Sequence, residues 1–264
     1  MKSPLKPSIH FNCLNELNKL LNPKSKISSF FLHAAQAELF LSSRDHLVVA
    51  HTNRVPIFEF WKFLLNNPKK LALGVETILP ILDDDQFAVF QETWYQNPKE
   101  YSRVVLYYIL NMCSENGVVS LGKMDKEKLK PLHISRLNNF RINNFYPFFD
   151  DNSEDSLASL DTAKETDYVL FPVGDYSLNL FEKGKNKGPD MYTFNHKKIH
   201  ARVEDLDKKC ILLYKNHPAL FNLYKSFNIK MVDKYGRVTD NKESSEDLII
   251  TNFWIYLNRT NGKN

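Results

Sequence analysis

The apolar positions change rhythm along the chain, and each change marks an element. Leu14, Leu17, Leu20 and Leu21 recur at helical spacing until Pro23 ends the run. Residues 27–32 form a short apolar block that reads as a strand, and 46–50 read as a second one. Phe58, Trp61, Phe63, Leu64 and Leu65 return to a helical period, halted at Asn66-Asn67-Pro68, and residues 86–95 and 98–113 supply two further helices. Tyr168-Val169-Leu170-Phe171 is an unbroken apolar run that meets Pro172 and Gly174, so a buried strand ends in a tight turn. A polar helical stretch (195–209), a strand (210–214), a helix (218–227) and a last strand (248–253) follow. Strand alternating with helix predicts an α/β protein, an open sheet covered by helices.

Three stretches interrupt that alternation. Residues 150–166 are acidic and Ser-rich and read as a flexible connector, and 182–190, with Gly184, Gly188 and Pro189, read as a second mobile piece whose Lys183, Lys185 and Lys187 face phosphates or water. Phe145-Tyr146-Pro147-Phe148-Phe149 is a dense apolar run in a connecting segment, buried against its own domain or turned toward another chain.

With 264 residues and 43% hydrophobic content, the chain can build one large domain or a sheet domain with a smaller insertion. Its 8 glycines fall well below the ordinary usage of about 7%, which is few for a cofactor site built on glycine-rich turns. A balance of 35 basic against 31 acidic residues permits nucleic-acid contact, and equally follows from an AT-rich genome favouring Lys and Asn codons. Cys13, Cys113 and Cys210 have no metal-type spacing and read as reduced, buried thiols of a cytoplasmic protein. No run approaches the roughly 18 apolar residues of a membrane span, and no signal-peptide pattern opens the chain. His196 and His200 share a helix face but lack a third ligand, so they read as a surface or interface pair, and Asp83-Asp84-Asp85 as a loop or helix cap. No metal site is expected.

The most basic stretch is Lys123, Lys126, Lys128, Lys130, Arg136 and Arg141, just past an Asn116-Gly117 turn. Such a patch can neutralise phosphates; Asp125 and Glu127 interrupt it, so a solvated face is the competing reading.

Taken in order, DYVLFPVGDY, FNHKKIHARVEDLDKKCILLYKNHPALFNLYKSFNI and SSEDLIITNF resemble the C-terminal half of Dam-type DNA adenine methyltransferases, which move a methyl group from S-adenosylmethionine to the adenine amino group. SSFFLHAAQAELFL resembles the family's glycine cluster, with Ala34 and Ala35 at the glycine positions. AHTNRVPIFEFW resembles its Asp-Ile-Asn segment, with His51 in place of the ribose-binding Asp and Asn53 retained. SPLKPSIHFNCLNELNKLL resembles the opening cofactor segment without its paired glycines and Lys. VVLYYILNMCSENGVVSLGKMDKEKLKP resembles the target-recognition region, which makes Asn116 and the six basic residues the candidate DNA contacts.

The family's strand tip carries Asp-Pro-Pro-Tyr, where this chain has Phe171, Pro172, Val173 and Gly174. Phe171 cannot accept a hydrogen bond from the adenine amino group and Gly174 cannot stack on a flipped base. A neutral imidazole at His51 cannot replace a bidentate carboxylate. The resemblance therefore implies a Rossmann-like methyltransferase sheet with helices on both faces (residues 1–54 and 160–264) and an inserted helical and hairpin DNA-recognition region (55–150). It implies a non-catalytic pseudo-methyltransferase, without cofactor, that forms a heterodimer with an active DNA adenine methyltransferase of a restriction-modification system and touches double-stranded DNA. Three alternatives stand beside it. One is an active S-adenosylmethionine-dependent enzyme with a displaced motif, using Asp175 or Asp167 with Tyr176; the others are a stand-alone DNA-binding module and an unrelated α/β protein.

Overall fold

Seven strands join into one sheet: β1 (Lys26–Ser29), β2 (Leu47–Thr52), β3 (Phe145–Phe149), β4 (Tyr168–Gly174), β5 (Cys210–Lys215), β6 (Asn228–Asp233) and β7 (Ser245–Thr251), in the order β3-β2-β1-β4-β5-β7-β6. The computed structural model describes residues 2–7, 9–114, 117–120, 122–152, 155, 157–163, 165–176, 192 and 194–254. The first five strands are parallel, and β7 runs antiparallel to both β5 and β6. This is an α/β architecture with a mixed, mostly parallel, Rossmann-like sheet.

Two-sided burial explains the strand sequences. Cys210-Ile211-Leu212-Leu213-Tyr214 is buried throughout, as a central strand covered on both faces must be. Alternate residues divide between two cores. Ile27, Val48, Ala50, Tyr168, Leu170, Ile211 and Leu213 face α1 (Leu14–Leu20), α2 (Gln36–Ser42) and α3 (Val55–Asn66). Val169, Phe171, Val173, Leu212, Tyr214, Leu248 and Ile250 face Ile199 and Val203 of α8 (His196–Glu204) and Leu220 of α9 (Pro218–Leu223).

Between β2 and β3 the chain also builds α4 (Pro68–Ile78), α5 (Asp84–Thr93), α6 (Glu100–Cys113) and α7 (Pro131–Asn138). This helical layer shares the first core: Trp61 packs edge-on against Phe145 at 5.3 Å, and Phe60 stacks on Tyr108 at 6.1 Å. Asp83 caps α5, its carboxylate accepting Gln86 N–H at 2.7 Å.

The structure redraws several sequence expectations. Residues 145–149 are no connector: they form β3, one of the sheet's two edge strands, with Phe145 buried and Tyr146 and Phe148 exposed on the opposite side. They lie inside the expected inserted region 55–150 but belong to the sheet. The described part of 150–166 holds a 3-10 turn, Ala158–Thr162, and Leu157 and Leu160 are core residues. The expected mobile piece 182–190 lies outside the described residues. β4 continues through Pro172 to Gly174, and its register against β5 shifts there because proline has no N–H for the ladder. His196 is buried and bonded to the Tyr214 hydroxyl at 3.1 Å, while His200 packs on Tyr224 at 5.2 Å, so this pair is not a surface pair. Among the described residues no helix is long and apolar enough to cross a membrane, and all three cysteines are buried and free.

Candidate functional site

The chain leaves β1 toward β2 and leaves β4 toward β5, so β1 and β4, side by side in the sheet, mark its switch point. Open parallel sheets leave a crevice at that point, beyond the carboxyl ends of the strands. Here the crevice is a cavity of about 130 Å3, lined among others by Ile9, Phe31, Ala34, Ala35, Glu38, Val173 and Tyr192. Sites that take drug-sized ligands begin at roughly 300 Å3. By volume the crevice falls short of that range.

The loop after β1 explains part of the shortage. Ala35 holds φ 53° and ψ 33°, the left-handed conformation glycine adopts freely and alanine adopts at a cost of about 1–2 kcal/mol. The bend is thus of the kind glycine favours, carried here by alanine, and the Ala34 and Ala35 side chains line the crevice. Its backbone is already committed: Leu32 N–H donates to His51 O at 2.9 Å, Leu32 O accepts the Tyr192 hydroxyl at 3.1 Å, and His33 O accepts Trp61 Nε1–H at 2.7 Å. Glu38, buried at the start of α2, accepts the Ser29 hydroxyl at 2.8 Å, and burial raises its pKa.

An N-terminal strap closes the remaining side. Lys6 N–H donates to Asn111 Oδ1 at 2.8 Å and Lys6 Nζ to Ser114 O at 3.1 Å, which pins one end to α6. Phe11 N–H donates to Gln36 Oε1 at 3.0 Å in the middle. At the far end Asn12 and Cys13 N–H both donate to Asp247 Oδ2, the latter at 2.9 Å, and Lys215 Nζ reaches Asp247 Oδ1 at 2.6 Å. Between these anchors Pro7, Ile9 and Phe11 line the cavity.

At the tip of β4, Phe171 is fully buried and packs on Phe30 at 5.5 Å and Phe31 at 6.0 Å, while Pro172 and Val173 line the cavity. Gly174 has φ +87°, and a Cβ built on it would stand 2.2 Å from Ile9 Cδ1. Ile9 thus fills the place into which a side chain at position 174 would project. Asp175 is exposed, and Tyr176 packs on His196 at 4.5 Å and His217 at 4.8 Å; neither lines the cavity. Asp167 precedes β4, a seven-residue strand roughly 20 Å long, and therefore sits at the opposite edge of the sheet.

His51, at the end of β2, is sealed as well. Its ring stacks on Phe30 at 4.5 Å and 7°, and Phe148 lies 5.0 Å away. Ser159 Oγ–H donates to Asp150 Oδ2 at 2.5 Å, so its oxygen accepts from His51 Nδ1 at 2.9 Å, an arrangement that assigns the proton to Nδ1. Burial pushes the imidazole down to about 4, and burial likewise raises the Asp150 carboxyl. The chain of bonds runs from histidine to serine to aspartate, the reverse of what a serine nucleophile needs. It clamps the 3-10 turn at Ala158–Thr162 to the sheet. The retained Asn53 donates to Asn152 O at 3.1 Å and serves the same connection.

The basic candidates are spread over the helical layer. Lys123, Lys130, Arg136 and Arg141 are exposed; Lys126 and Lys128 are half-buried, and Lys128 pairs with Asp125 at 3.1 Å. Asn116 lies outside the described residues, while Gly117 holds φ +72° against the Lys6 carbonyl. Sequence reasoning missed Ile9, Ser159 and Asp247, because each acts on a partner more than a hundred residues away and none stands in a local motif.

No family model matches the chain, and no curated protein matches it.

Proposed function

We propose that this chain is a pseudo-methyltransferase of the Dam type: a non-catalytic subunit that helps an active DNA adenine methyltransferase bind or select duplex DNA. The observation that carries the reading is Ile9 packed over Gly174, at the place where the family's tyrosine would stack on a flipped base. Closure of the cofactor crevice to about 130 Å3 and the buried, neutral His51 support it from two other sides. The sheet, with one reversed strand between β5 and β6, is the kind expected of such a methyltransferase, and its core is fully packed. A decaying gene would lose core and site together; here the core is intact and the crevice is filled. The helices between β2 and β3 take the role of the recognition layer. Asp175 and Tyr176 do not line the cavity, which speaks against a displaced catalytic motif.

Isolation under native conditions, followed by native mass spectrometry and a methyl-transfer assay on duplex DNA, tests the reading. The expected result is a complex with a second polypeptide that methylates adenine, and no transfer by this chain alone. Methylation by the purified chain, or a monomer with no companion, would refute it.

A further inference from the structure

The turn that follows β6 stands at the same carboxyl edge of the sheet as the closed crevice. Asp233 N–H donates to Arg237 O at 2.8 Å and Gly236 N–H to Asp233 O at 3.0 Å. The Asp233 carboxylate is directed into the turn, accepting Tyr235 N–H at 2.8 Å and Arg237 N–H at 2.9 Å. Gly236 holds φ +78°, and a Cβ there would meet Asn12 O at 2.8 Å, so the turn rests directly on the strap. Its tip is therefore braced from inside and below, yet Tyr235 is 70% exposed. Lys234 Nζ lies 5.1 Å and Arg237 Cζ 5.8 Å from the centre of that ring. No carboxylate pairs with either cation among the described residues.

A braced, solvent-facing ring bracketed by two unpaired cations offers contacts that hold nucleic acid without sequence readout. The tyrosine hydroxyl and the two cations can all meet duplex phosphates. Position adds a second argument. The strap starts at Lys6, beside Ser114, and Asp125 N–H donates to Cys113 O at 2.8 Å, which places the basic stretch at that end. The strap reaches Gly236 at Asn12. Six residues span at most about 20 Å, less than one duplex turn of about 34 Å. The two ends of the strap, one beside the turn and one beside the start of the basic stretch, therefore lie within the length of one duplex turn.

We propose that Lys234, Tyr235 and Arg237 form a second DNA contact, gripping the backbone of a duplex across the closed crevice together with Lys123, Lys126 and Lys130. This rests on the DNA-binding part of the function proposed above. Fluorescence anisotropy with a short dye-labelled duplex over a salt series tests it, using the full chain, a Tyr235→Ala/Arg237→Ala variant and a Lys123→Ala/Lys126→Ala/Lys130→Ala variant. Circular dichroism checks that each variant is folded. The turn variant should bind about tenfold more weakly, and its slope of log K against log salt should fall by about one. The lysine variant should lose affinity and slope separately. A turn variant that binds like the parent while the lysine variant weakens overturns the second contact and leaves DNA binding standing. A parent chain that binds no duplex at any salt overturns both. A turn variant that keeps DNA affinity but no longer holds the second polypeptide would assign the turn to a protein interface instead.

Discussion

Replacing Asp247 by alanine should lower the free energy of unfolding by about 3–5 kcal/mol, the range for removing one partner of a buried, hydrogen-bonded ion pair. The carboxylate is wholly buried in β7 and accepts from Lys215 Nζ and from two amides at the start of α1. Alanine would leave the ammonium without its counter-charge and the N–H groups of Asn12 and Cys13 without an acceptor. Asp247→Asn keeps the shape and one acceptor, so it should cost less than the alanine variant. Urea unfolding followed by circular dichroism measures both. A loss under about 1 kcal/mol for Asp247→Ala would mean that this acid does not hold the strap.

Gly174→Ala should cost about 2–4 kcal/mol, summing a non-glycine residue in the left-handed region with an overpacked contact. The contact is with Ile9 Cδ1, the end of a side chain, so part of the cost is relieved if that side chain is shortened. In an Ile9→Ala background the same substitution should therefore cost about 1 kcal/mol less, and the double-mutant cycle reads the difference. Equal costs in both backgrounds would show that Ile9 does not occupy the space in front of position 174.

Much of the fold could be read from the residues because burial leaves a plain trace. The apolar runs at Tyr168 and Cys210 are covered on both faces, and the structure places strands at both. Leu14, Leu17 and Leu20 give α1 its buried stripe, and Asp83 stands at the start of α5. What escaped lies at the margins of the sheet. β6 is half-buried along most of its length, so Asn228-Ile229-Lys230-Met231 shows no unbroken apolar run, and the sequence reading assigns no element there. β3 carries a proline and exposes Tyr146 and Phe148, so it resembles a connector with aromatic side chains. α4 begins at Pro68, the residue taken to stop α3; proline at a first helical position starts a helix as readily as it ends one.

For the site, the residues pointed to the positions but not to what packs on them. Ala34, Ala35, His51 and Phe171-Pro172-Val173-Gly174 all gather around the β1–β4 switch point. That Ala35 would keep a left-handed backbone, that Ser159 would turn His51 inward, and that Ile9 would cover Gly174 depend on chain crossings that no local pattern encodes.

Closure of the crevice is tested most directly by titrating the purified full chain with S-adenosylmethionine in a calorimeter. The strap, the alanine-filled loop and the sealed His51 predict no binding heat at ligand concentrations on the order of a millimolar, corresponding to a binding free energy weaker than about −4 kcal/mol. Saturable binding with a dissociation constant in the micromolar range, about −8 kcal/mol, would contradict it and reopen the case for a catalytic subunit.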